Sequence, residues 1–183
     1  MKDIELIWES YKRIHLKEDF EMSEIEDLDE FLRTYHPEAR VVLTDKETIE
    51  NTNIKQVAKD PNYNPKPKGI WYSLANEWAE FIKYDAPEFA PDYTNVFSLD
   101  IDYSKILQID TSEKLLAFNK KYARSSMFVD WTAIQDEGYC GVEIIPYQRQ
   151  HSHSLMWYYN WSIASGCIWD SSCIKKSTKI FPQ

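Results

Sequence analysis

Glycine is scarce in this sequence, with only four residues in 183, at positions 69, 138, 141 and 166. A phosphate-binding loop of the P-loop or Rossmann type needs two or three glycines at set spacings within about eight residues. No window of the chain has that spacing. The glycine content therefore argues against hydrolysis of nucleoside triphosphates and against dinucleotide-dependent dehydrogenation.

Cysteine and long apolar runs are also in short supply. The three cysteines, at positions 140, 167 and 173, contain no CxxC pair, and an odd number argues against a disulfide framework. No apolar run approaches the roughly 18 residues of a membrane span, and the first residues do not resemble a signal peptide. We expect a soluble, cytoplasmic protein in a reducing setting, with no membrane partner.

Positive charge is not clustered anywhere, and the negative charge lies at one end. The net charge is −9: residues 1–50 carry 15 acids and 7 bases (−8), and residues 51–183 carry 15 acids and 14 bases (−1). Nonspecific nucleic-acid binding needs a stripe of Lys and Arg, which the sequence lacks. The acidic segment is either a solvated helical face or a surface that binds a partner or mimics nucleic-acid charge.

Aromatic residues are plentiful at 15% of the chain, which is typical of a globular core. Apolar spacing predicts a helix over residues 3–17, and the capping box Ser23–Glu26 begins a second helix that Pro37 ends. We therefore predict an acidic helical segment, residues 1–38, packed on a domain of residues 39–183. Within that domain the patterns predict strands near 41–44, 69–73, 96–102, 106–109 and 140–147, with helices between them. The predicted class is α+β with a mostly antiparallel sheet.

Glu143 is the most informative ionisable residue. It stands in a predicted strand between Val142 and Ile144. A carboxylate in apolar surroundings costs several kcal/mol to desolvate unless it faces a cleft or has partners. The alternative is an edge or outward position on an alternating strand, where a glutamate costs little.

The order of the motifs resembles the ADP-ribosyltransferase superfamily. Residues 69–73 (Gly-Ile-Trp-Tyr-Ser), which lead into a helix, look like the second motif of that family, and residues 138–147, with Glu143, look like its third. The strand pair 96–109, followed by a helix, is similar to the connection that many of these domains carry. The resemblance covers residues 39–148. The first motif departs from the family: no His or Arg ends the strand Val41–Leu43, and the candidates for that position are Thr44, Arg40 and His36.

The resemblance implies a fold and a site. The fold is a split β-sandwich of two small, mostly antiparallel sheets with flanking helices. Glu143 is the implied catalytic carboxylate, which stabilises the positive charge that develops on the ribose when the nicotinamide–ribose bond breaks. The implied NAD-binding residues have three roles. The first-motif residue is Thr44 or Arg40, and the small residue that bonds the ribose or the carboxamide is Ser73. The aromatic side chains that enclose nicotinamide are Trp71, Tyr72, and Trp78 or Tyr84.

The function that the resemblance implies is NAD-dependent mono-ADP-ribosyl transfer to a macromolecule, in a toxin or a phage–host conflict protein, with NAD hydrolysis as a sibling activity. The lack of a basic patch favours a protein acceptor over a nucleic acid, and an antitoxin or regulatory protein is a further candidate partner. The alternative is a non-enzymatic acidic binding or inhibitor protein on a degenerate fold of this family, with residues 1–35 as the working surface.

Three other features are weaker candidates for a functional site. His151, His153, Cys167 and Cys173 lack the spacing of a zinc knuckle, so we expect no metal. Cys140 is a conceivable nucleophile, but a small residue in the turn before a strand accounts for it better. The aromatic stretch 157–173 is expected to pack over a sheet face, with a target-recognition surface as the alternative.

Overall fold

The computed structural model describes residues 28–57, 65–85 and 93–182. The described strands form one mixed sheet in the order β4-β5-β6-β2-β1-β3-β7. Five of its six neighbouring pairs are antiparallel, and β4 and β5 are parallel. The strands are β1 (Arg40–Thr44), β2 (Ile70–Leu74), β3 (Asn95–Ile101), β4 (Ile106–Ile109), β5 (Gly141–Ile144), β6 (Ser165–Ile168) and β7 (Ile174–Phe181). The predicted α+β class with a mostly antiparallel sheet is confirmed.

The helices connect these strands and are short. Residues 28–34 are helical (α1). The others are α2 (Ala75–Glu80), continued by a π-helical turn (Phe81–Asp85), then α3 (Ser112–Tyr122), α4 (Trp131–Asp136) and α5 (Met156–Tyr159). Asp130 is the N-cap of α4, where its side chain accepts a hydrogen bond from the backbone N–H of Ala133 (3.0 Å).

The two faces of the sheet are covered differently. Alternate residues of a strand point to opposite faces, and in β1 Val41 and Leu43 pack with α1 and α2 whereas Val42 packs with Tyr72 and Phe97. Along β5, Val142 and Ile144 pack with α3, α4 and α5. The core cluster around Val42 includes no residue of the five α-helices; Cys173 and the partly buried Tyr103, which belong to it, lie in the 3-10 turns Ser171–Cys173 and Tyr103–Lys105. We call the side of Val41 the helical face and the side of Val42, where no α-helix packs, the helix-free face.

The aromatic C-terminal stretch packs on the helical face, as expected. Trp157, Trp161 and Trp169 are fully buried and lie among Phe118 and Trp131 of α3 and α4. The Phe118 and Trp157 ring centroids are 5.3 Å apart, and those of Trp131 and Trp161 are 6.2 Å apart. The same stretch supplies β6, which lies between β2 and β5 and pairs with both.

The expectation of two small sheets is not confirmed. Because β6 is hydrogen-bonded to β2 on one side and to β5 on the other, the strands that carry Tyr72 and Glu143 belong to one continuous sheet. The strand that joins them comes from residues 165–168, which lie outside the stretch that resembles the ADP-ribosyltransferases.

Of the predicted N-terminal segment, the structure describes only the last part. Leu28 and Leu32 of α1 are buried against Val41 and Ala79. The predicted helix over residues 3–17 and the Ser23–Glu26 capping box lie outside the described residues. Within the described ranges, no helix combines the length and apolar character that a membrane crossing requires.

Candidate functional site

Glu143 lies at the centre of the candidate site. It is the middle of β5, and because its neighbours Val142 and Ile144 pack on the helical face, its side chain lies on the helix-free face. The residue is only 3% exposed, and within the described ranges it is the only buried residue that carries a formal charge. A carboxylate at this depth requires partners.

Arg40 is the charged partner. Its Nε donates to Oε2 of Glu143 and its Nη2 donates to Oε1, both at 3.2 Å, so the guanidinium meets the carboxylate with two parallel hydrogen bonds. Its Nη1 donates to the carbonyl oxygen of Glu38 (2.9 Å). Burial opposes the charge on Arg40, but the hydrogen bonds and negative charge of Glu143 outweigh burial and hold the pKa of Arg40 above its ordinary value. The pair keeps the site close to electrically neutral.

Tyr72 is the buried partner and approaches across a glycine. Its hydroxyl donates to Oε2 of Glu143 at 3.1 Å. Gly166 of β6 lies opposite Tyr72 on one side and opposite Glu143 on the other. A Cβ at position 166 would overlap the phenol ring, so the ring crosses β6 where there is no side chain. Burial, and then the negative charge of Glu143, raise the pKa of Tyr72 well above its usual value, so it remains a donor.

Tyr103 completes the site from the turn between β3 and β4. Its hydroxyl lies 3.5 Å from Oε2 of Glu143, and the guanidinium carbon of Arg40 lies 5.6 Å from the centre of its ring. The turn (Tyr103–Lys105) is held by Asp102, whose side chain accepts from the backbone N–H of Ser104 (3.1 Å). Burial and the charge of Glu143 raise the pKa of Tyr103 to about 12.

These tyrosines predict a loss of stability at high pH. Both hold their protons more tightly in the folded protein than in the unfolded chain, where tyrosine titrates near pH 10. Their contribution to the free energy of unfolding is therefore complete below about pH 10 and falls above it; that of Tyr103 is lost by about pH 12. Urea unfolding between about pH 8 and about pH 11 should show this fall, and Tyr103→Phe should make it shallower. The same pH dependence in both proteins would contradict the assignment.

The structure brings three of the predicted site residues together, namely Glu143, Arg40 and Tyr72, and places the others elsewhere. Tyr84 is exposed in the π-helical turn after α2, and the His36 ring lies 5.4 Å from that of Tyr35. Trp71 lies on the helical face, with its ring centroid 4.8 Å from that of Trp161.

Ser73 is buried on the helical face and donates to the carbonyl oxygen of Ala164. Trp78 donates from Nε1 to the carbonyl oxygen of Val41 at 3.1 Å and packs with the α1–α2 cluster. Thr44 is at the opposite end of β1 from Arg40, where its Oγ1 accepts from the backbone N–H of Lys46 (3.1 Å). None of these side chains contacts the Glu143 carboxylate.

The cysteines and histidines form no comparable site. All three thiols are free and buried, and Cys140 lies 3.6 Å from the hydroxyl of Ser172. Within the described part of the chain, no three side chains of His, Cys, Asp or Glu are grouped so that they could hold a metal ion.

Sequence reasoning missed Tyr103 and the role of Gly166. The run Asp102-Tyr103-Ser104 between two strands indicates a turn, but nothing in it indicates that the tyrosine reaches a carboxylate 40 residues further on. Gly166 is one of only four glycines and lies in an aromatic stretch. A glycine in such a stretch can mark a place where a large side chain crosses close to the backbone, and this was the one sequence signal for its role.

No protein-family model, curated protein or solved structure matches this chain. What the protein does must therefore be inferred from the arrangement around Glu143 and from the motifs that supply it.

Proposed function

We propose that this protein is an NAD-dependent mono-ADP-ribosyltransferase on an ADP-ribosyltransferase-like fold. The observation that carries the proposal is the meeting of three side chains at one point of the helix-free face: Arg40, Tyr72 and Glu143. Each comes from one of the three motif strands. This agreement between motif order and geometry supports Arg40, in preference to Thr44, as the first-motif residue.

The chemistry fits a fixed carboxylate. The bond between ribose C1′ and the nicotinamide nitrogen breaks, nicotinamide leaves with the bonding electrons, and the ribose takes on oxocarbenium character. A carboxylate held beside the ring stabilises that positive charge and accepts a hydrogen bond from a ribose hydroxyl. The acceptor's nucleophilic atom then bonds to C1′ and loses its proton. In this proposal Glu143 is the carboxylate, and the hydroxyl of Tyr72 orients it through a hydrogen bond to Oε2.

The acceptor is a macromolecule, and protein is favoured over nucleic acid because the sequence has no clustered cations. In this proposal the protein acts as a toxin or in phage–host conflict, with an antitoxin or regulatory protein as a further partner. Water is the acceptor in the sibling activity, NAD hydrolysis.

The proposal is tested by mixing the purified protein with NAD and a cell lysate. We expect release of free nicotinamide and transfer of the labelled ADP-ribose moiety to a macromolecular fraction that protease digestion removes. Release without a labelled fraction identifies a hydrolase. If neither release nor labelling occurs with lysate present, the transferase proposal is wrong.

One observation favours the alternative, a non-enzymatic acidic binding protein. Arg40 already neutralises Glu143, and a buried ion pair of this kind also occurs with a purely structural role. Most of the acidic residues that such a protein would use lie in residues 1–27, outside the described ranges. An inert protein in the NAD assay that captures a basic protein from the same lysate supports this alternative.

A further inference from the structure

The carboxylate of Glu143 is covered by its own partners. The residue is 3% exposed, and its two oxygens are occupied by Arg40, Tyr72 and Tyr103. Any ligand that touches this carboxylate must first displace at least one of these three side chains.

Tyr72 is the partner that keeps its position when the carboxylate is uncovered. It has no exposed surface, it lies on an interior strand, and its ring is seated on Gly166. Arg40 and Tyr103 are the partners at the surface: the Arg40 side chain is 24% exposed, and Tyr103 is half-buried in a three-residue turn. They contact each other through the guanidinium and the ring. The cover over Glu143 therefore opens at Arg40.

Removing Arg40 from Glu143 requires a replacement for the carboxylate. A partly buried guanidinium without an anion is costly, because burial opposes its charge. A phosphate offers the same two-point hydrogen bonding as a carboxylate. A phosphate-free nucleoside offers no such anion.

We propose that Arg40 exchanges Glu143 for the diphosphate of the incoming nucleotide, so that binding of the diphosphate and uncovering of Glu143 are a single event. This inference rests on the proposed function for the identity of the nucleotide. It makes the site selective for diphosphate-bearing nucleotides. A nicotinamide riboside without phosphate leaves Arg40 on Glu143 and the site closed.

The exchange is tested by calorimetric titration with ADP, which carries the diphosphate but no bond to be cleaved. Apparent affinity is proportional to the fraction of molecules in which Arg40 is free, and that fraction is small while Glu143 holds Arg40, so Glu143→Gln should bind ADP about tenfold more tightly than the wild type. Glu143→Asp keeps the charge but is one methylene too short for the two-point pair, and it should bind ADP about threefold more tightly. Arg40→Gln should weaken ADP binding at least about tenfold.

The control variant is Glu113→Gln, which removes one negative charge at an exposed position of α3 and should leave ADP affinity unchanged. If Glu143→Gln gains affinity but Glu143→Asp does not, the gain is through-space repulsion and the exchange is wrong. Equal or weaker binding in both Glu143 variants also overturns it. Nicotinamide release by the wild type is measured separately. Release without the gain in ADP affinity leaves the transferase proposal standing and shows that the exchange is wrong. A gain in ADP affinity without nicotinamide release supports the exchange and shows that the transferase proposal is wrong.

Discussion

Replacement of Glu143 by glutamine is expected to lower the rate of nicotinamide release from NAD at least about a thousandfold. Glutamine keeps the size of the side chain but removes the negative charge and replaces one acceptor oxygen with an NH2 donor. The negative charge stabilises the oxocarbenium-like ribose of the transition state much more than it stabilises the uncharged ribose of bound NAD. The loss should therefore fall on kcat, with KM unchanged or lower because Arg40 is free for the diphosphate. Steady-state rates of nicotinamide release over a range of NAD concentrations measure both.

The matched control is Glu113→Gln on the exposed side of α3, which should keep the wild-type rate. Circular dichroism and a urea titration establish that Glu143→Gln is folded, since Arg40 loses its ionic partner in this variant. A folded Glu143→Gln protein that releases nicotinamide within about tenfold of the wild-type rate would show that this carboxylate does not act on the ribose.

Replacement of Gly166 by alanine is expected to lower the free energy of unfolding by about 2–4 kcal/mol and to abolish nicotinamide release. The added methyl group would overlap the ring of Tyr72, which has no exposed surface and cannot swing into solvent. Either the ring leaves Glu143 or the three strands β2, β6 and β5 separate locally. Urea unfolding measures the stability, and the nicotinamide assay measures the site.

Gly138→Ala provides the comparison for this variant. Gly138 follows α4 with φ +90°, and apart from Gly138 itself and its two chain neighbours no residue has a heavy atom within 4 Å of where its Cβ would be. Alanine there costs about 1 kcal/mol through the backbone alone, with nicotinamide release retained at wild-type rates. If Gly166→Ala is no less stable than Gly138→Ala and retains activity, the close approach of Tyr72 is not needed.

Much of the local structure could be predicted from residue patterns. Phe97, Leu99 and Ile101 alternate with polar residues, and the predicted strand 96–102 is confirmed as β3 with these three in one core cluster. The strands near 41–44 and 69–73 are confirmed as β1 and β2, whereas the strand predicted near 140–147 is confirmed only over Gly141–Ile144, as β5. Such predictions succeed because alternation and chain breakers act within a few residues.

The site residues could be predicted only in part. Glu143, Tyr72 and Arg40 were among the candidates that the sequence offered, and they converge. Trp71 and Ser73 flank Tyr72 in the same motif, yet they lie on the opposite face because successive side chains of a strand alternate. Whether Tyr72 or the pair Trp71 and Ser73 lies on the face of Glu143 depends on how β2 pairs with β6, and the motif alone does not specify that pairing.

The sequence by itself determined the α+β class and the positions of five of the seven strands, and it singled out Glu143 as a residue that would need partners if buried; β6 and β7 were not predicted. Those properties follow from local spacing and from the cost of desolvating a carboxylate. Only the tertiary structure decided that residues 165–168 lie between the two motif strands, that Tyr72 reaches Glu143 across Gly166, and that Tyr103 lies against Arg40. These contacts join residues that are far apart in the chain, and the packing of the whole sheet selects among the pairings that local patterns leave equal.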